Sequence, residues 1–320
     1  MSMRDALQDV AGRRILAQAK PQTPSLVWAS EHRDEVQDLL RDQGALLIRG
    51  LRFHGTKQFG QFLEAVFGND LAEYTYRSTP RTKLGGNVYT ATEYHPSETI
   101  PQHNESAYAN VWPLQIGFFC MVPPGPGLGG ATPLADSREV LARLPADLVE
   151  KFETRQLQYV RNYGNVDLPW SEVFQTEDRD EVEAFCKAHD IAFEWTADNG
   201  LRTRQVTPAT EVHPVTGEKI WFNQAHLFHV SGLADDVVRD MLSVYREEEL
   251  PRNVYFGDGS PIDVADLDII RAVYDEVKFH FDWQKDDVVL LDNMLYTHGR
   301  QPFSGPRKIL VGMGRTHGRA

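Results

Sequence analysis

About eight short strand-like runs lie between residues 44 and 314, and a single helix seldom separates one from the next. They read GALLIRGL (44–51), NVYTATE (87–93), LQIGFFCMV (114–122), QLQYVRNY (156–163), KIWFN (219–223), DVVLLD (287–292) and RKILVGMG (307–314), with a hairpin over 191–206 turning at Asn199-Gly200. A doubly wound parallel sheet needs a crossover helix after nearly every strand. The pattern predicts instead a mostly β chain with flanking helices, an α+β fold of antiparallel double-sheet or jelly-roll type.

Helical periodicity appears over 34–44, 56–68, 135–155 with a break near Pro145, 177–190, 233–250 and 263–277. Thr56 reads as an N-cap and Gly68 as a stop. The Pro- and Gly-rich segment 122–136 reads as a long loop rather than a linker. The chain is therefore expected to form one domain over 1–320, with an N-terminal helical extension at about 1–43.

Composition narrows the partners. With 33 basic and 46 acidic residues, net charge is −13 and no basic block occurs, which argues against nucleic acid. No run approaches the ~20 apolar residues of a membrane helix, and MSMRDALQDVAGRR lacks a secretory h-region. Two cysteines, Cys120 and Cys186, give no disulfide framework, so a reducing, cytoplasmic setting is expected.

The chemistry concentrates at PQHNESAY (101–108), where His103 and Glu105 stand two apart. In a strand that spacing places both side chains on one face. An imidazole and a carboxylate there are two thirds of a 2-His-1-carboxylate triad, which on Fe(II) leaves open positions for a chelating cosubstrate and oxygen. Candidates for the second imidazole include His95, His226, His229, His280 and His298. His226 and His229 form an H-x-x-H that leaves a zinc hydrolase as a rival, though it lacks the glutamate of H-E-x-x-H. His298 follows VVLLD and NMLYT, and Arg307 comes nine residues later across a turn containing Gly305-Pro306. One hairpin could supply an imidazole and a planar fork for the distal carboxylate of a keto diacid, with Arg300 and Arg315 as rivals. Thr132, after Gly129 and Gly130, could add a hydroxyl to the same carboxylate.

PQHNESAY, GGATPLADSREV, HPVTGEKIWFNQ, RNVYFGDGSPI and DWQKDDVVLLDNMLYTHGRQPFSGPRKILVGM resemble stretches of TauD/TfdA-type Fe(II)/2-oxoglutarate oxygenases, nearest the clavaminate synthase-like branch. The likeness runs from about Gly44 to Arg315. It implies a double-stranded β-helix, with His103, Glu105 and His298 as iron ligands and catalytic residues. It assigns Thr132 and Arg307 to 2-oxoglutarate. The implied cofactors are Fe(II), 2-oxoglutarate and O2. The implied reaction is hydroxylation of an unactivated C–H bond in an amino acid, free or carrier-tethered, in natural-product biosynthesis. A carrier protein is then a partner if the substrate is tethered. Desaturation, cyclisation and a 2-oxoglutarate-independent iron dioxygenase remain alternatives, and Glu105 argues against halogenation. The further arginine of taurine dioxygenase-like members is here Val311, with Arg315 as a substitute; Arg77 and Arg81 offer positive charge for a zwitterion.

Overall fold

The computed structural model describes residues 2–319 except 75, 77, 165–167 and 197–198. Its main sheet has eight strands in the order Gln8–Val10, Arg13–Pro24, Ala45–Arg52, Val288–Asp292, Val111–Val122, Lys308–Gly318, Val88–Thr90 and Lys83–Gly85. Neighbours run antiparallel, save that Arg13–Pro24 and Ala45–Arg52 are parallel and joined through helix Ser25–Gln43. A second sheet of four strands orders Ala192–Trp195, Leu201–Thr207, Leu157–Tyr163 and Arg252–Phe256. A third has Tyr296–Arg300 between Ile100–His103 and Leu134–Asp136. The architecture is mixed α+β with large antiparallel sheets.

The continuous apolar run at 45–48 follows from burial on both faces of the sheet. Leu46 and Ile48 pack with Trp28, Phe59, Phe62 and Leu63 of the two outer helices, Ser25–Gln43 and Thr56–Phe67. Ala45 and Leu47 point the other way, into a cluster with Ile116, Phe118, Leu291 and Tyr296. Two facing glycines seat the second helix. Gly117 pairs with Gly312, and a Cβ on either would come within 2.4 or 2.6 Å of Leu63. Both helices end where expected, on Gly44 and Gly68 in the left-handed region.

Several expectations need correction. The stretch 1–43 is not simply helical: residues 8–10 and 13–24 are strands of the main sheet. The polar RRILAQAKPQTP hides its strand character because only Ile15, Leu16 and Ala17 are buried. The N-cap of helix 56–67 is Gly55, not Thr56. The 191–206 hairpin forms, but its last pair is Trp195 with Leu201, so Asn199-Gly200 is not a two-residue turn between the strands. The helix expected over 233–250 stops at Val244. Both cysteines are free and buried. Among the described residues, no helix is long and apolar enough to cross a membrane.

Candidate metal centre

The strand pair Ile100–His103 and Tyr296–Arg300 places His103 directly opposite His298. Their ring centroids lie 4.4 Å apart. Glu105 reaches the same space by a route that alternation along a strand does not supply. The strand ends at His103, and Glu105 stands in the turn that follows, beside Ser106 at φ 59°. Asn293, fully buried just past strand Val288–Asp292, pins that turn. Its Oδ1 accepts the Glu105 N–H at 2.7 Å, and its Nδ2 donates to the Glu105 and Pro113 carbonyls at 3.0 and 2.8 Å.

Ligand atoms of His103, Glu105 and His298 all lie within 4.8 Å of one another. The His103 Nδ1–H donates to the Pro101 carbonyl at 2.9 Å, which fixes the tautomer and leaves Nε2 as a lone-pair donor. Burial, reinforced by His298, pushes the His103 imidazole down to about 3. Burial alone would raise the Glu105 carboxyl, but Arg81 and the two imidazoles outweigh it and hold the group well below the ordinary carboxylate range. At neutral pH His103 is thus a neutral imidazole and Glu105 a carboxylate, the protonation states that bind a divalent ion. Two nitrogens and one oxygen are also the donor set suited to non-haem Fe(II).

A cavity beside this cluster is lined by Arg81, His103, Phe118, Thr132, His298, Arg300, Arg307 and Ile309. Thr132 and Arg307 meet there. Arg307 Nε donates to the Gly130 carbonyl at 2.8 Å and Nη2 to Thr132 Oγ1 at 3.2 Å. Gly130, at φ 78°, allows the approach, since a Cβ would sit 3.0 Å from the Arg307 side chain. Trp283 Nε1 also donates to Thr132 Oγ1, at 3.0 Å. With both lone pairs engaged, the hydroxyl proton of Thr132 is left to donate elsewhere. Burial and the nearby Arg300 push the Arg307 guanidinium down to about 10, still protonated at neutral pH. A dianion would relieve that strain.

The rivals are engaged by other partners, Arg300 included although it lines the same cavity. His226 Nε2 donates to the Gln102 carbonyl at 2.8 Å, and His229 Nδ1 bonds Ser231. His95 bonds Ser97, and His280 is exposed. Arg300 donates to the carbonyls of Tyr94, His95 and Glu98 at 3.0, 2.7 and 2.8 Å, so it fastens a loop. Arg315 is exposed and bonds Gln37, which removes it as a substitute clamp. Val311 is core. Arg77 lies outside the described residues. Sequence reasoning missed Asn293 and Trp283, and it gave Arg81 no link to Glu105; no spacing signal marks any of these contacts.

Residues 15–313 match the family described as "Taurine catabolism dioxygenase TauD, TfdA family". The dapdiamide synthesis protein DdaC of Enterobacter agglomerans is 38% identical over 279 residues, 87% of this chain and 84% of that protein. A clavaminate synthase-like protein of Arabidopsis thaliana is 31% identical over 294 residues, 87% and 83% of the two chains. PvcB of Pseudomonas aeruginosa shares the fold at TM-score 0.57 and 16% identity, covering 96% of this chain and 88% of PvcB. Another PvcB structure presents it as an Fe, alpha-ketoglutarate dependent oxygenase from an isonitrile synthetic pathway. An asparagine oxygenase solved with Fe(II), 2S,3S-3-hydroxyasparagine and succinate matches at TM-score 0.55 and 13% identity, covering 90% and 82%. A family match over nearly the whole chain, and two relatives above 30% identity, establish that this protein belongs to the TauD/TfdA dioxygenase family.

Proposed function

We propose that the chain is an Fe(II)- and 2-oxoglutarate-dependent oxygenase that hydroxylates an unactivated C–H bond of an amino acid, in a single domain of double-stranded β-helix type. One observation carries this reading: His103, His298, Thr132 and Arg307 line one cavity, with Glu105 beside the two imidazoles. His103, Glu105 and His298 would hold the iron. The Arg307 guanidinium and the free Thr132 proton would take the distal carboxylate of 2-oxoglutarate. Bound iron supplies the activation of O2 that side chains cannot. The balanced reaction consumes 2-oxoglutarate, O2 and R–H and yields succinate, CO2 and R–OH. The protein's share is to position both ligands and, through Phe118 and Ile309, to keep water from the reacting face.

The relatives support the substrate class: DdaC is a dapdiamide synthesis protein, and asparagine oxygenase was solved with a hydroxylated amino acid. The test is a single-turnover assay. Protein loaded anaerobically with Fe(II) and 2-oxoglutarate is mixed with O2 and an amino-acid panel. Succinate should appear in step with a product carrying one oxygen atom from O2. Amino-acid oxidation that proceeds without 2-oxoglutarate would overturn the reading.

A further inference from the structure

Arg81 carries more hydrogen-bonding capacity than its one close contact uses. Its side chain and that of Glu105 are each 3% exposed, and Nη2 donates to Glu105 Oε2 at 2.7 Å. The same nitrogen reaches Thr92 Oγ1 only at 3.5 Å. Nε and Nη1 are buried and have no hydrogen-bond partner among the described residues. Tyr74 covers one face of the guanidinium, 4.6 Å from ring centroid to Cζ. Arg81 nevertheless lines the cavity shared with His103, His298, Thr132 and Arg307. A buried donor without a partner is costly, and an arginine's planar fork fits a carboxylate in two places, whereas Glu105 engages one nitrogen.

Charge counting sharpens the point. While Glu105 has no other counter-ion, it neutralises Arg81. A divalent ion between His103, Glu105 and His298 takes up the Glu105 charge. Arg81 then becomes a buried cation beside a dication, with two unpaired donors, an arrangement unfavourable without an added anion. The keto acid does not cancel that excess in the proposed site: its distal carboxylate goes to Arg307 and Thr132, and its other carboxylate, with Glu105, would still leave the dication and Arg81 one net positive charge. The requirement falls on the primary substrate.

We propose that Arg81 binds the free carboxylate of the amino-acid substrate along the fork edge that its single bond to Glu105 leaves open, through an unpaired N–H flanking Nη2 and the second N–H of Nη2. The inference rests on the oxygenase reading above. It also selects between the two substrate forms: an α-carboxyl held as a thioester on a carrier would bring no anion to Arg81, so the substrate is the free acid.

The experiment uses full-length protein loaded with Mn(II) and 2-oxoglutarate under anaerobic conditions and titrated calorimetrically. The probes are the standard L-amino acids, their α-carboxamides and their methyl esters. At least one acid is expected to bind saturably, with its carboxamide and ester weaker by about 100-fold. Arg81→Gln should weaken the acid by a similar factor and leave carboxamide affinity within about threefold, with Arg81→Lys intermediate. Equal affinity for acid and carboxamide in the wild type overturns the proposal without any variant. So does unchanged acid affinity in Arg81→Gln, or the absence of binding by every acid. Loss of Mn(II) binding in Arg81→Gln would instead make Arg81 a support for Glu105. Failure of the wild type to bind Mn(II) or 2-oxoglutarate would remove the oxygenase reading itself, and this inference with it.

Discussion

Replacing Asn293 with alanine should damage metal binding out of proportion to its effect on stability. The side chain is fully buried and makes three hydrogen bonds, all to backbone: the Glu105 N–H, the Glu105 carbonyl and the Pro113 carbonyl. Each buried group left unpaired costs about 1–3 kcal/mol. Water entering the space of the lost amide recovers part of that, so the expected destabilisation is about 3 kcal/mol. At roughly 2 °C per kcal/mol for a chain of this size, Tm falls by about 6 °C. The larger effect is local. Glu105 stands in a turn rather than a strand, so no sheet ladder holds it once Asn293 is gone. Affinity for Mn(II), a stand-in for Fe(II), should drop about 10–100-fold, as for other groups that orient metal ligands. Asn293→Asp keeps an acceptor for the Glu105 N–H but loses both donors and sets a carboxylate against two carbonyls, so it should fare no better. The control is Asn253→Ala in the four-stranded sheet. Asn253 is also buried and accepts the Val230 and Val254 N–H groups at 3.1 and 2.9 Å. It should lose comparable Tm and keep wild-type Mn(II) affinity. Calorimetric titration and thermal melts measure both quantities. Mn(II) affinity in Asn293→Ala within about twofold of wild type would refute the argument.

Alanine at His103, Glu105 or His298 should abolish metal binding and turnover while far-ultraviolet circular dichroism stays native; His226→Ala and His229→Ala should retain the metal, and metal loss in either would revive a site at H-x-x-H. Arg307→Ala should raise KM for 2-oxoglutarate about 30-fold or more, with Arg307→Lys intermediate because an ammonium cannot replace the fork; initial rates at varied 2-oxoglutarate decide it, and an unchanged KM removes the assignment. His226 is pushed down from 6.5 to about 4, first by burial, with its hydrogen bond to Gln102 opposing. Between those values the unfolded chain binds a proton that the folded chain refuses, so stability falls as pH drops from 6.5 toward 4. The gap corresponds to about 3 kcal/mol at most. His226→Gln should show a shallower loss over that window in urea titrations; an identical slope would show that His226 does not titrate there.

How far the sequence discloses the site differs residue by residue. His298 and Arg307 are legible because one lies beyond an apolar run and the other opens the next, with Gly305-Pro306 marking the turn between them. The strand that carries His298 is not: Tyr296–Arg300 reads YTHGR, which has no apolar alternation because it is buried between two short strands in a three-stranded sheet. The His-x-Glu pair is legible as a pair for a reason the structure replaces. Alternation along a strand suggests a common face, yet it is the Asn293 clamp on the following turn that delivers the carboxylate. Asn293 itself carries no spacing signal, since its partners lie 188 and 180 residues away and are all backbone. The N-terminal strands escape notice for a related reason: Arg13–Pro24 is specified by parallel pairing with Ala45–Arg52 across an intervening helix, a long-range fact that local polarity conceals.

The same contacts bear on whether this site is assembled by its metal or before it. In small metallodomains the ligands are scattered on loops, and binding free energy is folding free energy. Here two of the three candidate ligands sit opposite one another on paired strands, so ladder hydrogen bonds set their separation. The third is tied at both its amide and its carbonyl by a side chain from the strand end that packs into the main sheet. Arg81 Nη2 donates to one Glu105 oxygen at 2.7 Å, which holds the carboxylate from a third direction. Each of these devices works without an ion. Metal affinity therefore draws on a geometry that the fold has already fixed, and the metal's contribution to stability is limited to mass action on the folded state.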